Sequence, residues 1–110
     1  MRQIIISTSR RRLELYEDNR LIRSFPVAVG KAGTPTPRGR FAVANKYVNP
    51  GGVFGSRWLG LSIPHYGIHG TNNPGSIGRA VSKGCIRLHN RDVEQLYNLV
   101  EVGTPVVIRD

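Results

Sequence analysis

A mostly-β single domain, a β-sandwich or open barrel with one helix in the C-terminal half, is what the 110-residue sequence predicts. Three observations predict it. Short runs alternate apolar and polar residues with period two, as in Leu13-Glu14-Leu15. Gly, Pro and Asn clusters break these runs at short intervals, as in Gly30–Gly39 and Asn49-Pro50-Gly51-Gly52. Only one segment, 91–100, repeats apolar residues with helical spacing.

Taken in order, Gln3–Ser7 is a strand carried by Ile4-Ile5-Ile6, and Arg10-Arg11-Arg12 is a solvated tip before the next one. Residues 12–17 and 20–29 form a hairpin about Asp18-Asn19. Pro26 cannot donate to a ladder, so it marks an edge or a bulge. Phe41–Val48 resumes a strand with Phe41, Val43 and Asn45 on one face. Leu59–Ile63 and Tyr66–His69 are short strands around Pro64, and 71–78 is a surface loop. In the helix, Val93, Leu96, Tyr97 and Val100 fall at i, i+3, i+4 and i+7. Asn90 is expected to cap it through its side-chain oxygen, Gly103 fits its stop, and Pro105–Ile108 closes the fold as a strand. Residues 1–110 read as one domain, with no repeat and no internal linker.

Composition bounds the function. Sixteen Lys and Arg against seven Asp and Glu give +9, a field that attracts polyanions such as nucleic acid, anionic lipid or cell-wall polymer. Charge alone does not choose among them. No apolar stretch approaches the roughly 20 residues of a membrane span. Ile4-Ile5-Ile6 is too short for the apolar core of a signal peptide and no small-residue cleavage site follows. The chain is therefore expected to stay inside, to leave by another route, or to derive from a longer precursor.

Cys85 is the only cysteine, sixteen residues after His69. A lone thiol forms no internal disulfide, which leaves a packing role, a metal or a nucleophile. Ser82, Lys83, Gly84 and Arg87 are poor company for a buried sulfur and good company for a reactive one. An ordinary thiol is only a few per cent ionised at neutral pH. His69 can take its proton, and Lys83 and Arg87 can favour the thiolate. On an extended 85–88, Cys85 and Arg87 share one face while Ile86 and Leu88 point to the core. Gly84 clears room for a substrate carbonyl, and the N–H groups of Gly84 and Cys85 are candidate oxyanion donors. A metal is disfavoured: in His65-x3-His69 and Cys85-x3-His89 the partners, if extended, lie about 13 Å apart, too far for one zinc bound at roughly 2.0–2.3 Å.

His69-Gly70-Thr71, Ser76-Ile77-Gly78 and Ser82-x-Gly84-Cys85-Ile86-Arg87 resemble the signature of the YkuD-type L,D-transpeptidase catalytic domain. Gly30-Lys31 followed by Thr34-Pro35-Thr36-Pro37-x-Gly39-x-Phe41 is similar to its second motif block, so the likeness spans essentially the whole chain. The resemblance implies an enzyme that forms 3→3 cross-links in bacterial peptidoglycan, or attaches proteins to it. In that chemistry a cysteine attacks the amide between the third stem residue and a terminal D-alanine. D-Alanine leaves, a thioester forms, and the amine of a neighbouring stem takes the acyl group. Water in place of the amine gives L,D-carboxypeptidase activity. By position, Cys85 is the nucleophile, His69 the base, and the Gly70 carbonyl fixes the tautomer of His69. Ser82, Gly84 and Arg87 line the site, Tyr47 and Trp58 are a candidate substrate wall beside Phe54, and acylation of Cys85 by carbapenems is expected. No cofactor or metal is implied.

One residue departs from the pattern. The motif commonly has histidine where this chain has Lys83, so a donor-only point charge replaces an imidazole. Catalysis is expected to survive with altered substrate handling. The family implies the bacterial cell envelope, with stem peptides as partners and anionic wall polymers as a further one. Residues 1–110 contain no wall-binding module, so targeting is expected to rest on the +9 charge or on a segment outside these residues. A monomer is expected, and nucleic acid is not. Two alternatives stay open: a non-catalytic basic module for wall polymer or nucleic acid, and a cysteine hydrolase of another substrate class.

Overall fold

The computed structural model describes all 110 residues. Arg2–Ser7 (β1), Arg12–Glu17 (β2) and Arg20–Pro26 (β3) form an antiparallel meander, followed by Val29–Gly30 (β4) and Gly39–Val48 (β5). Arg57–Leu61 (β6), Gly67–His69 (β7), Ala80–Ser82 (β8) and Ile86–Arg87 (β9) precede the helix Asn90–Leu99 (α1) and the last strand, Pro105–Arg109 (β10). Eight strands make one curled sheet in the order β3-β2-β1-β10-β5-β6-β7-β9, with β4 and β8 paired in parallel beside it. Of the two architectures the sequence allows, this is the open barrel.

The expected long run 20–29 is interrupted for a topological reason. β3 ends at Pro26, which lacks the N–H to continue a ladder, and the chain then leaves one edge of the sheet for the other. There Ala28 exchanges two backbone hydrogen bonds with Arg87, at 2.9 and 3.0 Å. The first edge strand thus continues into the segment that covers the last one, which curls the sheet round its core. The exposed edge is protected by composition: only Phe25 of β3 is buried, and Arg20 and Arg23 are exposed.

Period-two patterning sets the register on the packed side. Ile4 faces Leu15 and Val106, and Ile6 faces Leu13 and Ile108, and all six are buried. A one-residue slip would turn the whole set outward. Val93, Leu96 and Val100 complete this core from the helix side, and α1 lies against β6 and β7.

The helix corrects two expectations about its ends. Its cap position is His89, with no side-chain capping bond, and Asn90 is the first helical residue rather than the cap. Asn90 spends its amide elsewhere, as described below. At the other end the helix stops at Leu99 and Val100 is extended, so Gly103 lies beyond the stop. No basic residue occupies the last turn. Instead Lys46 of β5 donates to the Tyr97 and Val100 carbonyls, both at 2.8 Å, and Arg2 of β1 donates to Leu99 at 2.6 Å. Cations supplied by strands therefore satisfy the carbonyl end of the helix dipole.

Candidate active site

The site stands on β7 and β9, which pair in parallel with Ile68 beside Ile86 and His69 beside Arg87. Ile68, Ile86 and Leu88 are fully buried, so alternation sends His69, Arg87 and Cys85 to the opposite side. Extending the register one step N-terminal sets Cys85 beside Gly67 and diagonal to His69. With strands about 4.8 Å apart and a rise of about 3.3 Å per residue, the two α-carbons are roughly 8 Å apart, within side-chain reach. Both residues line one cleft of about 360 Å³ with Lys31, Val53, Phe54, Val81, Ser82, Lys83 and Arg87.

His69 is only 3% exposed, and its Nδ1 lies 2.5 Å from the Gly70 carbonyl oxygen. A carbonyl only accepts, so Nδ1 carries the hydrogen and Nε2 presents its lone pair. Burial pushes the imidazole pKa down to about 4; the Gly70 bond opposes this and the Arg87 charge adds to it. Trp58 stacks on the ring at 5.6 Å between centroids and 12° between planes, while Phe54 meets it edge-on at 5.1 Å. These two aromatic rings are part of what covers the imidazole.

The thiol of Cys85 is half-buried and donates to the His65 carbonyl at 3.8 Å. Burial raises its pKa, against the Gly67 backbone N–H and the Arg87 charge, which favour the thiolate. At neutral pH the resting pair is therefore thiol and imidazole, not thiolate and imidazolium. His65, at φ 73, holds its carbonyl over the sulfur from the turn between β6 and β7. Spacing alone gave His65 no role, and nothing in its sequence context signals this one.

The turn before Cys85 is built by Ser82 and Gly84. Ser82, 1% exposed, donates to the Cys85 carbonyl at 2.7 Å and accepts from the Gly84 N–H at 3.0 Å. This corrects one expectation: the Gly84 N–H is committed to Ser82 and is not free to meet an oxyanion. The Cys85 N–H has no partner within the protein. Gly84 sits at φ 125, and a methyl there would meet the Tyr66 ring at 2.5 Å, so the position requires glycine twice over. Gly67 is likewise obligatory, because the Trp58 ring lies over it and would be 2.5 Å from a Cβ.

The remaining predicted residues divide. Lys83 and Arg87 line the cleft. Trp58 lies on the far side of His69, and Tyr47 is 59% exposed in a separate groove with Pro50, Phe54 and Trp58. Tyr47 therefore does not wall the Cys85 cleft: it pairs with Trp58, and Trp58 with His69, so it shares their face of the sheet but stands two strands from His69 and three from Cys85. Phe54 is shared by both grooves. Sequence reasoning gave no role to Lys31 and mistook that of Asn90. The Asn90 Oδ1 accepts from the backbone N–H groups of Ser56 and Thr71, both at 3.1 Å, and its Nδ2 donates to the Thr71 carbonyl at 3.1 Å. One side chain thus ties the loop carrying Phe54 to the strand end carrying His69.

Comparisons with known proteins agree with this arrangement. The family model described as the L,D-transpeptidase catalytic domain, YkuD, matches residues 1–108. The YkuD protein of Bacillus licheniformis is 58% identical over 106 residues, which are 96% of this chain and 64% of that protein. The chain therefore spans just under two-thirds of that relative's length. The catalytic domain of the Enterococcus faecium L,D-transpeptidase superposes with a TM-score of 0.84 at 26% identity, covering 98% of this chain and 96% of that one. An L,D-transpeptidase from Mycobacterium smegmatis shares the fold with a TM-score of 0.88 at 21% identity, covering 99% of this chain and 58% of that one. Sequence family and fold agree: the chain belongs to the L,D-transpeptidase catalytic domain family.

Proposed function

We propose that this chain is a cysteine L,D-transpeptidase acting on peptidoglycan stem peptides in the bacterial cell envelope, as a monomer and without a metal or cofactor. Cys85 attacks the carbonyl joining the third stem residue, a diamino acid, to the terminal D-alanine. The thiol proton passes to His69 Nε2 as the sulfur–carbon bond forms, and the Cys85 N–H meets the developing oxyanion. The proton then moves to the departing D-alanine nitrogen as the carbon–nitrogen bond breaks, leaving a thioester. A side-chain amine of a neighbouring stem attacks that thioester, His69 takes its proton, and the proton returns to the sulfur. The product is a 3→3 cross-link; water in place of the amine gives the carboxypeptidase reaction.

One observation carries this reading: a buried imidazole, whose Nδ1 is held by the Gly70 carbonyl so that Nε2 is the nitrogen left free, lines the same cleft as the only thiol. Because the resting pair is neutral, proton removal accompanies attack rather than preceding it. Gly70 orients the base, Ser82 and Gly84 shape the nucleophile's turn, and Arg87 and Lys83 supply positive charge. Trp58 and Phe54 shelter the imidazole. The +9 charge suits the anionic polymers of a wall.

The test is D-alanine release from a disaccharide-tetrapeptide, followed by mass spectrometry, together with intact mass after a carbapenem. Release by the wild type and a single adduct absent from Cys85→Ala are expected. No release and no adduct with the thiol reduced would remove the acyl-transfer reading. Salt-sensitive binding to polyanions without thiol reactivity would put the basic binding module in its place.

A further inference from the structure

The cleft holds three cations and no anion. Lys31, Lys83 and Arg87 line it together with Cys85 and His69, and no Asp or Glu does. None of the three joins an ion pair; the pairs formed are Met1 with Asp18, Arg2 with Glu17, Arg38 with Asp110, and Arg91 with Asp92. None donates a side-chain hydrogen bond within the protein either, whereas Arg2, Arg12, Lys46 and Arg57 all do. In a chain with seven carboxylates, leaving three neighbouring cations uncompensated means that no internal partner sets their placement.

The backbone nevertheless fixes where they stand. The Lys31 N–H bonds to the Ser82 carbonyl at 3.1 Å, and Thr34 Oγ1 donates to the same oxygen at 2.9 Å. The loop after β4 is thereby fastened to the residue just before Lys83, and both lysines are brought to one rim. Both are exposed, so their ammonium groups are free to close on a ligand. Arg87 is deeper: it neighbours His69 in the register, and its charge acts on both Cys85 and His69.

A donor with a terminal D-alanine carboxylate brings one negative charge to this field. Two cations then remain without a counterion, and a second carboxylate near the scissile bond would meet them. The chemistry that places one there is a diamino diacid, whose side chain ends in an amine and a carboxylate. Resting on the transpeptidase reading above, we propose that Lys31 and Lys83 bind this second carboxylate, so that the cleft selects stem peptides in which it is free rather than amidated. Arg87, nearer the reacting atoms, faces the scissile end. The departure from the family motif at Lys83 then has a role: an imidazole is replaced by an ammonium with three donors and no acceptor, which reads substrate charge.

Two tetrapeptides identical except for carboxylate or carboxamide on the diamino acid side chain test this. Binding is measured by calorimetry to Cys85→Ala protein, which retains every cation, at about 50 mM and about 500 mM salt. The free acid is expected to bind about fivefold more tightly at low salt, as suits two exposed charge pairs. The preference should shrink at high salt, where screening is stronger, and fall to near unity in a Lys31→Gln, Lys83→Gln background whose melting temperature is unchanged. Equal binding of the two peptides, no binding of either, or a preference that survives the double substitution would each overturn it. Turnover separates this from the broader reading. Equal D-alanine release from both peptides keeps the transpeptidase and removes the selection. A lysine-dependent binding preference without any release keeps the selection and removes the acyl transfer.

Discussion

The region made by β1, β2 and β10 and the region made by β7 and β9 obey different rules. In the first, strands of five and six residues pair over four to six positions, and alternation alone sorts Ile4, Ile6, Leu13, Leu15, Val106 and Ile108 to the inside. Most of its hydrogen bonds belong to the ladder. In the second, strands of three and two residues are held by side chains and irregular backbone: Ser82 on the Cys85 turn, Asn90 on Thr71 and Ser56, the Gly70 carbonyl on His69, Gly84 at φ 125. The first region is stable because its residues are interchangeable members of a pattern. The second works because its residues are not interchangeable. Stability and reactivity are therefore expected to separate by mutation.

The largest effect should fall on the reactive side alone. His69→Gln is expected to lower D-alanine release by roughly a thousandfold, the upper part of the range for losing a general base, with the melting temperature at pH 7 nearly unchanged. A large loss of stability at pH 7 would mean that the two regions are not separable. The converse is Leu15→Ala, a fully buried truncation on the packed side. Chemical denaturation should show a loss of about 2–5 kcal/mol, while activity per folded molecule stays within about twofold. A collapse of activity in the folded fraction would show that strain passes across the sheet.

A pH titration sharpens the comparison. The unfolded imidazole takes its proton near pH 6.5 but the folded one only near pH 4, so between these values the unfolded state binds more protons. Stability present above pH 6.5 is accordingly lost as pH falls towards 4, by on the order of 3 kcal/mol from this group. His69→Gln should remove that part of the acid sensitivity, and an identical pH profile in the variant would rule it out.

Smaller still is Asn90→Ala, which strands two N–H groups and one carbonyl at a partly exposed site and should cost about 1 kcal/mol. Turnover should fall as well, because Phe54 and Gly70 lose a common anchor, and Asn90→Asp should restore the two accepting bonds but not the donated one. The subtlest is Arg87→Gln. Removing its charge should raise the pKa of both Cys85 and His69, moving the alkylation midpoint of the thiol with iodoacetamide further up. An unchanged midpoint would mean that solvent screens the guanidinium from the sulfur.

The same contrast explains what could be read from the sequence. Alternation at Leu13–Leu15 and the stripe Val93, Leu96, Val100 specify core residues because burial depends only on period. Pro26 announced an edge because its missing N–H acts wherever it stands. Cys85, His69 and their motif company were legible because those residue types carry chemistry in their side chains. Asn90 was misread because an amide before a helix suits a cap locally, and only the fold brings Ser56 and Thr71 within its reach. The Gly84 N–H was misassigned because its competitor, Ser82 two residues away, depends on a φ that sequence does not display. Tyr47 and Trp58 looked equivalent beside one loop, and they do pair across β5 and β6, but only Trp58 neighbours His69, while Tyr47 stands one strand further from the cleft.

The parallel pairing of β7 with β9 has a further consequence. Two parallel neighbours cannot be joined by a tight turn, so the chain must make an excursion before it returns. Here residues 70–85 make it, through the exposed Asn72, Asn73, Pro74 and Gly75. What aligns sulfur with imidazole is the ladder step from Ile68 to Ile86. While Gly70, Thr71 and the stretch 78–85 are bonded in place, the exposed residues 72–75 are the slack part of the detour. Extra residues spliced in at 72–75 would lengthen the detour without altering the destination. The distance in sequence between base and nucleophile is thus an adjustable dimension of this scaffold, available for reshaping the cleft's surroundings while its chemistry stays in place.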